Sequence, residues 1–161
     1  MNATETRPQT APATEPRAVT ARDLDLLRDK FRGCFVGLAV GDAIGATNEF
    51  KSRDFCRANP VKGIEGGGVW RLKPGQWTDD TSMAFAMAIS IIARGGFNPQ
   101  DVMEQFVDWR QGIAYGPSDG RGCFDIGGTT AAALARFVNT GDPFAGVADG
   151  HTAANGSVMR L

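Results

Sequence analysis

Four glycines, Gly33, Gly37, Gly41 and Gly45, recur at four-residue spacing within a stretch whose apolar residues run at helical spacing: Leu26, Leu27, Phe31, Cys34, Phe35, Leu38 and Val40. On a helix that spacing stacks all four on one face. Each glycine costs about 1 kcal/mol of helix propensity relative to alanine, so something must offset several kcal/mol. Two explanations are open. Another backbone crosses closely over the stripe, or a ligand occupies the room that four absent side chains leave. Glycine is abundant throughout, at 21 of 161 residues, against about 7% in an average chain.

The rest of the chain reads as helices joined by glycine-rich loops. Order is expected to begin near Leu24, after a leader, residues 1–22, rich in Thr, Ala, Pro and Glu and expected to be disordered. Residues 51–75 carry Asn59-Pro60, Gly66-Gly67-Gly68 and Pro74-Gly75, which mark irregular loop. A second helix is predicted over 79–94, with Thr78 placed to cap it and Gly95 to end it. It is apolar nearly all round, which predicts a central, buried position. The third starts at Asn98-Pro99 and ends by Gly112. Trp109 falls on its apolar stripe and is expected in the core, while Trp77 has either core or pocket as its expected place. A glycine-rich loop over 116–122 precedes a fourth helix, about 126–139, with Asp125 as its expected cap and Gly141 as its stop. No stretch alternates with period 2, so the fold class is all-α. Residues 158–161 read as the first turn of a further helix, too short to pack. They predict that the chain is part of a larger domain.

Composition excludes several functions. Seventeen Lys and Arg against 18 Asp and Glu leave a net charge of −1, unlike the basic excess of a general nucleic-acid binder. One histidine excludes a zinc site built from several imidazoles. Cys34, Cys56 and Cys123 form no Cys-x-x-Cys pair and read as free thiols of a reducing, cytoplasmic compartment. The N-terminus lacks the apolar core of a secretory signal, and the longest apolar run, 83–93, is too short to span a membrane. His151 reads as a loop residue, and neither Ser157 nor Cys123 sits in a nucleophile elbow. The glycine stripe lacks the Gly-x-Gly-x-x-Gly spacing of a dinucleotide fold.

The sharpest chemical feature is Trp77-Thr78-Asp79-Asp80-Thr81 at the start of the second helix. Grouped hydroxyl and carboxylate oxygens suit a hard cation such as Mg²⁺. Acids in a first turn also serve as plain dipole partners. Read with Gly37-x-x-x-Gly41-Asp42-Ala43-x-Gly45, Glu49-Phe50, Phe124-Asp125-Ile126-Gly127 and Asn155-Gly156-Ser157-x-Met159-Arg160, the chain resembles the ADP-ribosylglycohydrolase family from about Phe31 onward. The pieces occur in family order.

The resemblance implies a compact, orthogonal all-helical bundle, of which residues 23–161 are the N-terminal half. It implies metal-dependent release of ADP-ribose from a modified protein side chain or related acceptor, with two Mg²⁺ or Mn²⁺ ions side by side. Thr78, Asp79 and Asp80 would be metal ligands. Glu49 would handle protons or gate the site, and Asp125 would sit at the substrate. The turn Asn155-Gly156-Ser157 would lie against the phosphates, where backbone N–H groups make an anion site. The family completes its metal site with a downstream Asp-x-Asp-Thr that this sequence does not contain. Residues 1–161 alone are therefore expected to bind metal weakly and not to turn over. The expected partner is an ADP-ribosylated protein or small ADP-ribose conjugate, with no membrane, no general nucleic-acid binding, and a monomer. The competing reading is a non-catalytic, ADP-ribose-binding or crystallin-like member of the same fold.

Overall fold

A computed structural model describes residues 18–116, 123 and 125–161. The expected leader lies outside them as far as residue 17, as do most of the 116–122 loop and Phe124. The described residues are helical, with one isolated antiparallel bridge, Gly67 to Leu72, and no strand. None of these helices is long and apolar enough to cross a membrane.

Helix α1, Ala21–Gly45, starts three residues before the expected Leu24. Its start is set by a capping box. Thr20 Oγ1 accepts from the Asp23 N–H at 3.2 Å, and the Asp23 carboxylate accepts from the Thr20 N–H at 2.9 Å. At 25 residues α1 is about 37 Å long, yet Ala43 is its sole buried residue. A 3₁₀ turn, Ala46–Asn48, follows. A short helix, α2, Arg53–Ala58, is capped by Ser52 inside what the sequence presents as loop.

Helix α3, Asp79–Arg94, ends on Gly95 in the left-handed conformation, as expected. Four residues later α4, Pro99–Arg110, begins with Asn98 Oδ1 accepting from the Asp101 N–H at 3.1 Å. The two form a helical hairpin. Arg94 ties it shut, with Nε and a terminal nitrogen 2.8 and 2.5 Å from Asp101 Oδ1. Helix α5, Gly128–Thr140, packs on α4 and stops at Gly141. The core is Met83 and Ala86 of α3, Val102, Phe106 and Trp109 of α4, and Leu134 of α5. Trp109 is there as expected.

Four expectations are corrected. Helix α3 is not buried all round: Ile89, Ile91 and Ile92 lie exposed at its C-terminal end, because α4 covers one side of it and α1 touches little of the other. Helix α5 starts two residues later than expected, and Asp125 does not cap it: Gly127 is the N-cap residue and makes no side-chain cap. Residues 158–160 form turns after the 3₁₀ segment Asn155–Ser157, not the first turn of an α-helix. The glycine stripe carries no tight crossing, since a Cβ added at Gly33, Gly37, Gly41 or Gly45 would meet nothing within 4 Å. Among the described residues the space over the stripe is open.

A candidate acidic cleft

Gly37, Gly41 and Gly45 form one wall of a cleft of about 600 Å³. Five carboxylates line it: Asp42 and Glu49 from the end of α1 and the turn after it, Asp79 and Asp80 from the start of α3, and Asp125 before α5. Among the described residues no lysine or arginine lines it, so the five acids crowd one another.

Its organiser is Asp42. The carboxylate accepts from the Thr78 N–H at 3.0 Å, Thr78 Oγ1 at 2.8 Å, the Thr81 N–H at 3.1 Å and Thr81 Oγ1 at 2.7 Å. These are the N–H groups that a helix leaves unsatisfied at its start. Asp42 therefore caps α3 from another helix. Thr78 occupies the N-cap position but makes no side-chain cap, because the Thr81 N–H from which it would accept is taken by Asp42. Its own hydroxyl donates to Asp42 and keeps lone pairs that suit a cation. Sequence reading placed Asp42 in a motif without giving it a role; its partners lie 36 and 39 residues away, beyond any local signal.

Burial, then the nearby Asp125 and Asp80, push the Asp79 carboxyl up to about 8. Burial and Asp42 raise Asp80 as well. Asp125 is pushed up to about 7, by burial and by Glu49, to which it is hydrogen-bonded. Its backbone is left-handed, with φ 56°, which turns it into the cleft instead of along α5. Glu49 is held from behind: its Oε2 accepts from Trp70 Nε1 at 2.6 Å. Trp70 sits in the turn closed by the Gly67–Leu72 bridge. That turn reaches the 3₁₀ turn after α1 because Gly68 has no side chain; a Cβ there would lie 2.2 Å from the Ala46 carbonyl oxygen.

Thr78, Asp79, Asp80, Glu49 and Asp125 are thus brought together, and Asn155 joins them on the rim. Gly156 and Ser157 are not in this cleft. They line a smaller neighbouring pocket of about 200 Å³ with Thr129, Thr130 and Arg160. Gly156 is needed there, since a Cβ would lie 2.7 Å from Thr130 Oγ1. Phe50, which sequence reading noted only beside Glu49, stands exposed on the rim with φ 59°. Trp77 packs on Phe85, ring centres 5.9 Å apart, and Phe85 stacks on Phe35, so its place is structural. Burial and Asp79 push the Cys123 thiol up to about 11, which keeps it protonated and a poor nucleophile. His151 is exposed in a loop.

Thr78, Asp79 and Asp80 fit a hard divalent cation by donor type, and the repulsion among these acids is what a cation would relieve. Among the described residues no group of three or more His, Cys, Asp or Glu is arranged to hold a metal ion.

Comparison with known proteins gives the family of the chain. The ADP-ribosylglycohydrolase family profile matches residues 23–161. The ADP-ribosylarginine hydrolase Tri1 of Serratia proteamaculans is 45% identical over 133 residues, covering 82% of this chain and 35% of that protein. The ADP-ribosyl-[dinitrogen reductase] glycohydrolase of Rhodospirillum rubrum is 36% identical, covering 83% and 43%. A solved ADP-ribosylglycohydrolase-related protein complex superimposes with a TM-score of 0.66 at 41% identity, over 83% of this chain and 41% of the other. The chain thus spans well under half the length of these relatives, and across that span it belongs to the ADP-ribosylglycohydrolase family.

Proposed function

We propose that this chain forms the acidic half of a catalytic domain that hydrolyses the glycosidic bond between ADP-ribose and a protein side chain. The observation that carries the reading is the convergence of Asp42, Glu49, Thr78, Asp79, Asp80 and Asp125 on one glycine-walled cleft. A non-catalytic protein has no need of so many acids facing one cleft. The relatives named above as acting on ADP-ribosylarginine and on ADP-ribosylated dinitrogen reductase make an ADP-ribosylated protein the substrate class, with arginine the first acceptor to assay.

Cleavage of such a bond passes through an oxocarbenium-like state and needs a proton for the leaving group and an activated water. Asp125, pushed up to about 7 by burial and by the nearby Glu49, is the group in the cleft suited to carry a proton at neutral pH. In the proposed reaction the bond from the ribose anomeric carbon to the acceptor nitrogen breaks and Asp125 gives that nitrogen its proton. Water bonds to the anomeric carbon, and its proton goes to Glu49. Trp70 fixes the Glu49 carboxylate for this exchange. Thr78, Asp79 and Asp80 would hold Mg²⁺ or Mn²⁺, which when bound orients ribose hydroxyls and lowers the pKa of water. Asn155, on the rim of the cleft, would receive the diphosphate, with Gly156 and Ser157 in the adjoining pocket, and the bare face of α1 admits the ribose. Three free cysteines fit work in a reducing cytoplasm.

The assay joins residues 1–161 to the remaining C-terminal part of the Serratia relative and measures ADP-ribose released from an ADP-ribosylarginine peptide. Asp79→Asn or Asp80→Asn should lower the rate by about 10²-fold or more, the scale expected on losing metal assistance. Rates within twofold of the parent would refute the metal assignment. No release by the parent chimera from arginine, serine or small conjugates would favour a binding protein.

A further inference from the structure

Asn48 to Lys51, leaving the 3₁₀ turn, make a β-turn. The Lys51 N–H donates to the Asn48 carbonyl at 3.0 Å. Glu49 has φ −56° and ψ 139°, and Phe50 has φ 59°, which fits a type II turn with Phe50 at its third position. Glycine or asparagine takes that position, because a side chain there crowds its own backbone. A bulky residue at positive φ is a genuine outlier. The turn is braced on its flanks. Thr47 Oγ1 donates to the Gly66 carbonyl at 3.1 Å, Trp70 Nε1 holds Glu49, and the Lys51 ammonium lies over the Phe55 ring at 5.5 Å.

Packing does not offset the strain at Phe50. Its ring is 78% exposed, and among the described residues no other ring and no cation lies on it. Yet Phe50 lines the acidic cleft beside Glu49. Strain without a packing gain marks a residue held for what it meets in the cleft. An aromatic face has two planar partners, a delocalised cation and a nucleic base. The reacting bond decides between them. In the reaction proposed above, Glu49 takes the proton of the attacking water, so its neighbour Phe50 stands near the anomeric carbon and the acceptor. The adenine lies at the opposite end of ADP-ribose, beyond a diphosphate assigned to Asn155. A guanidinium also stacks on an aromatic face while its edge donates to carboxylates, and the cleft supplies those carboxylates.

We propose that Phe50 is the acceptor-recognition residue of the cleft, its ring receiving the guanidinium plane of an ADP-ribosylated arginine. The identity of the substrate rests on the hydrolase reading; the affinity of the ring for a guanidinium does not. Phe50 thereby favours arginine over serine, which offers no planar cation to stack. It touches the leaving side of the substrate and moves no proton.

Two measurements test this. In the chimera, Phe50→Leu should lower kcat/KM for the ADP-ribosylarginine peptide about tenfold, chiefly through KM, on losing the ring's attraction for the cation. Phe50→Trp should restore most of it. The inhibition constant of free ADP-ribose, which has no acceptor, should move by less than about twofold in Phe50→Leu, well below the loss of the cation contact. The second arm needs no turnover. Ring resonances of labelled phenylalanine in residues 1–161 are followed by NMR during titration with methylguanidinium, methylammonium and AMP, the Phe50 signal being the one lost in Phe50→Leu. Methylguanidinium should shift that signal saturably and further than methylammonium does, and AMP should leave it in place. Phe50→Gly should raise the melting temperature of residues 1–161, since glycine fits the turn. A chimera without turnover sinks the hydrolase reading alone, and the titration then decides this proposal. Four results overturn it: undiminished kcat/KM for the arginine peptide in Phe50→Leu, an equal loss for free ADP-ribose, a Phe50 signal that AMP shifts and methylguanidinium does not, or a melting temperature lowered by Phe50→Gly.

Discussion

Asp42 does two things at once: it caps α3 through the N–H groups of Thr78 and Thr81, and it adds negative charge beside Asp80. Loss of a capping side chain costs about 0.5–2 kcal/mol, and bonds to a charged acceptor are worth about 1.5–3 kcal/mol each in net terms. Asp42→Ala should therefore destabilise residues 1–161 by roughly 2–4 kcal/mol in urea unfolding. Asp42→Asn, which keeps an acceptor but brings an NH₂ toward groups that donate, should lie between. A loss below 0.5 kcal/mol, the floor for a cap, would sink the capping role. Acid titration tests the neighbouring charges. Asp79 near 8 and Asp125 near 7 bind protons more tightly folded than unfolded. Groups raised in this way stabilise fully below their unfolded value of 3.8 and lose that contribution as pH rises through 7 and 8. In EDTA, the melting temperature should thus rise when pH falls from 8.5 to 6, and Asp79→Asn should flatten the slope. A melting temperature that falls over that interval would show these carboxyls to be ordinary.

At the scale of elements, what the sequence discloses is what is written locally. The α3 terminus at Gly95 and the α4 start at Asn98-Pro99 each rest on residues within one turn, and both are where the pattern puts them. Helix α2, six residues with its signal in Ser52 alone, is too short for periodicity to register. The start of α5 is displaced because Asp125 faces a carboxylate 76 residues earlier in the chain. The glycine stripe is a mixed case: its spacing gives the face, and the neighbours across it decide the meaning. Since a Cβ at Gly37 or Gly41 meets nothing, Gly37→Ala and Gly41→Ala should each stabilise the chain by about 1 kcal/mol through helix propensity. Both also narrow the cleft. In the chimera, the same variants should raise KM for an ADP-ribosylated peptide several-fold while thermal stability rises. Destabilisation would mean that backbone, and not ligand, occupies that face.

The whole molecule combines a well-knit α3–α4–α5 core with an α1 that buries one residue of its 25. The motifs of the cleft were legible because chemistry at a site constrains residue identity. The uncovered faces of α1 and α3 were not, because an apolar helix reads the same whether its neighbour is present or absent. That distinction bears on the metal. The described acids form no group of three arranged for an ion, and the competing proton on Asp79 must leave before one binds. A ligand that binds only the folded state stabilises by RT ln(1 + [L]/Kd). If the dissociation constant is on the order of 10 mM, then about 10 mM Mg²⁺ adds roughly 0.4 kcal/mol. For a domain of this length that is a shift of about 1–2 °C. A complete site with a constant near 10 μM would give about 4 kcal/mol at the same concentration, a shift on the order of 8–16 °C. Residues 1–161 at pH 7.5 should show the small shift, unsaturated at about 10 mM, and Asp80→Asn should remove it. The chimera should show the large one, lost in the same variant. A large, saturable shift in residues 1–161 alone would mean that the acids of this one cleft hold the ion without help from the rest of the domain.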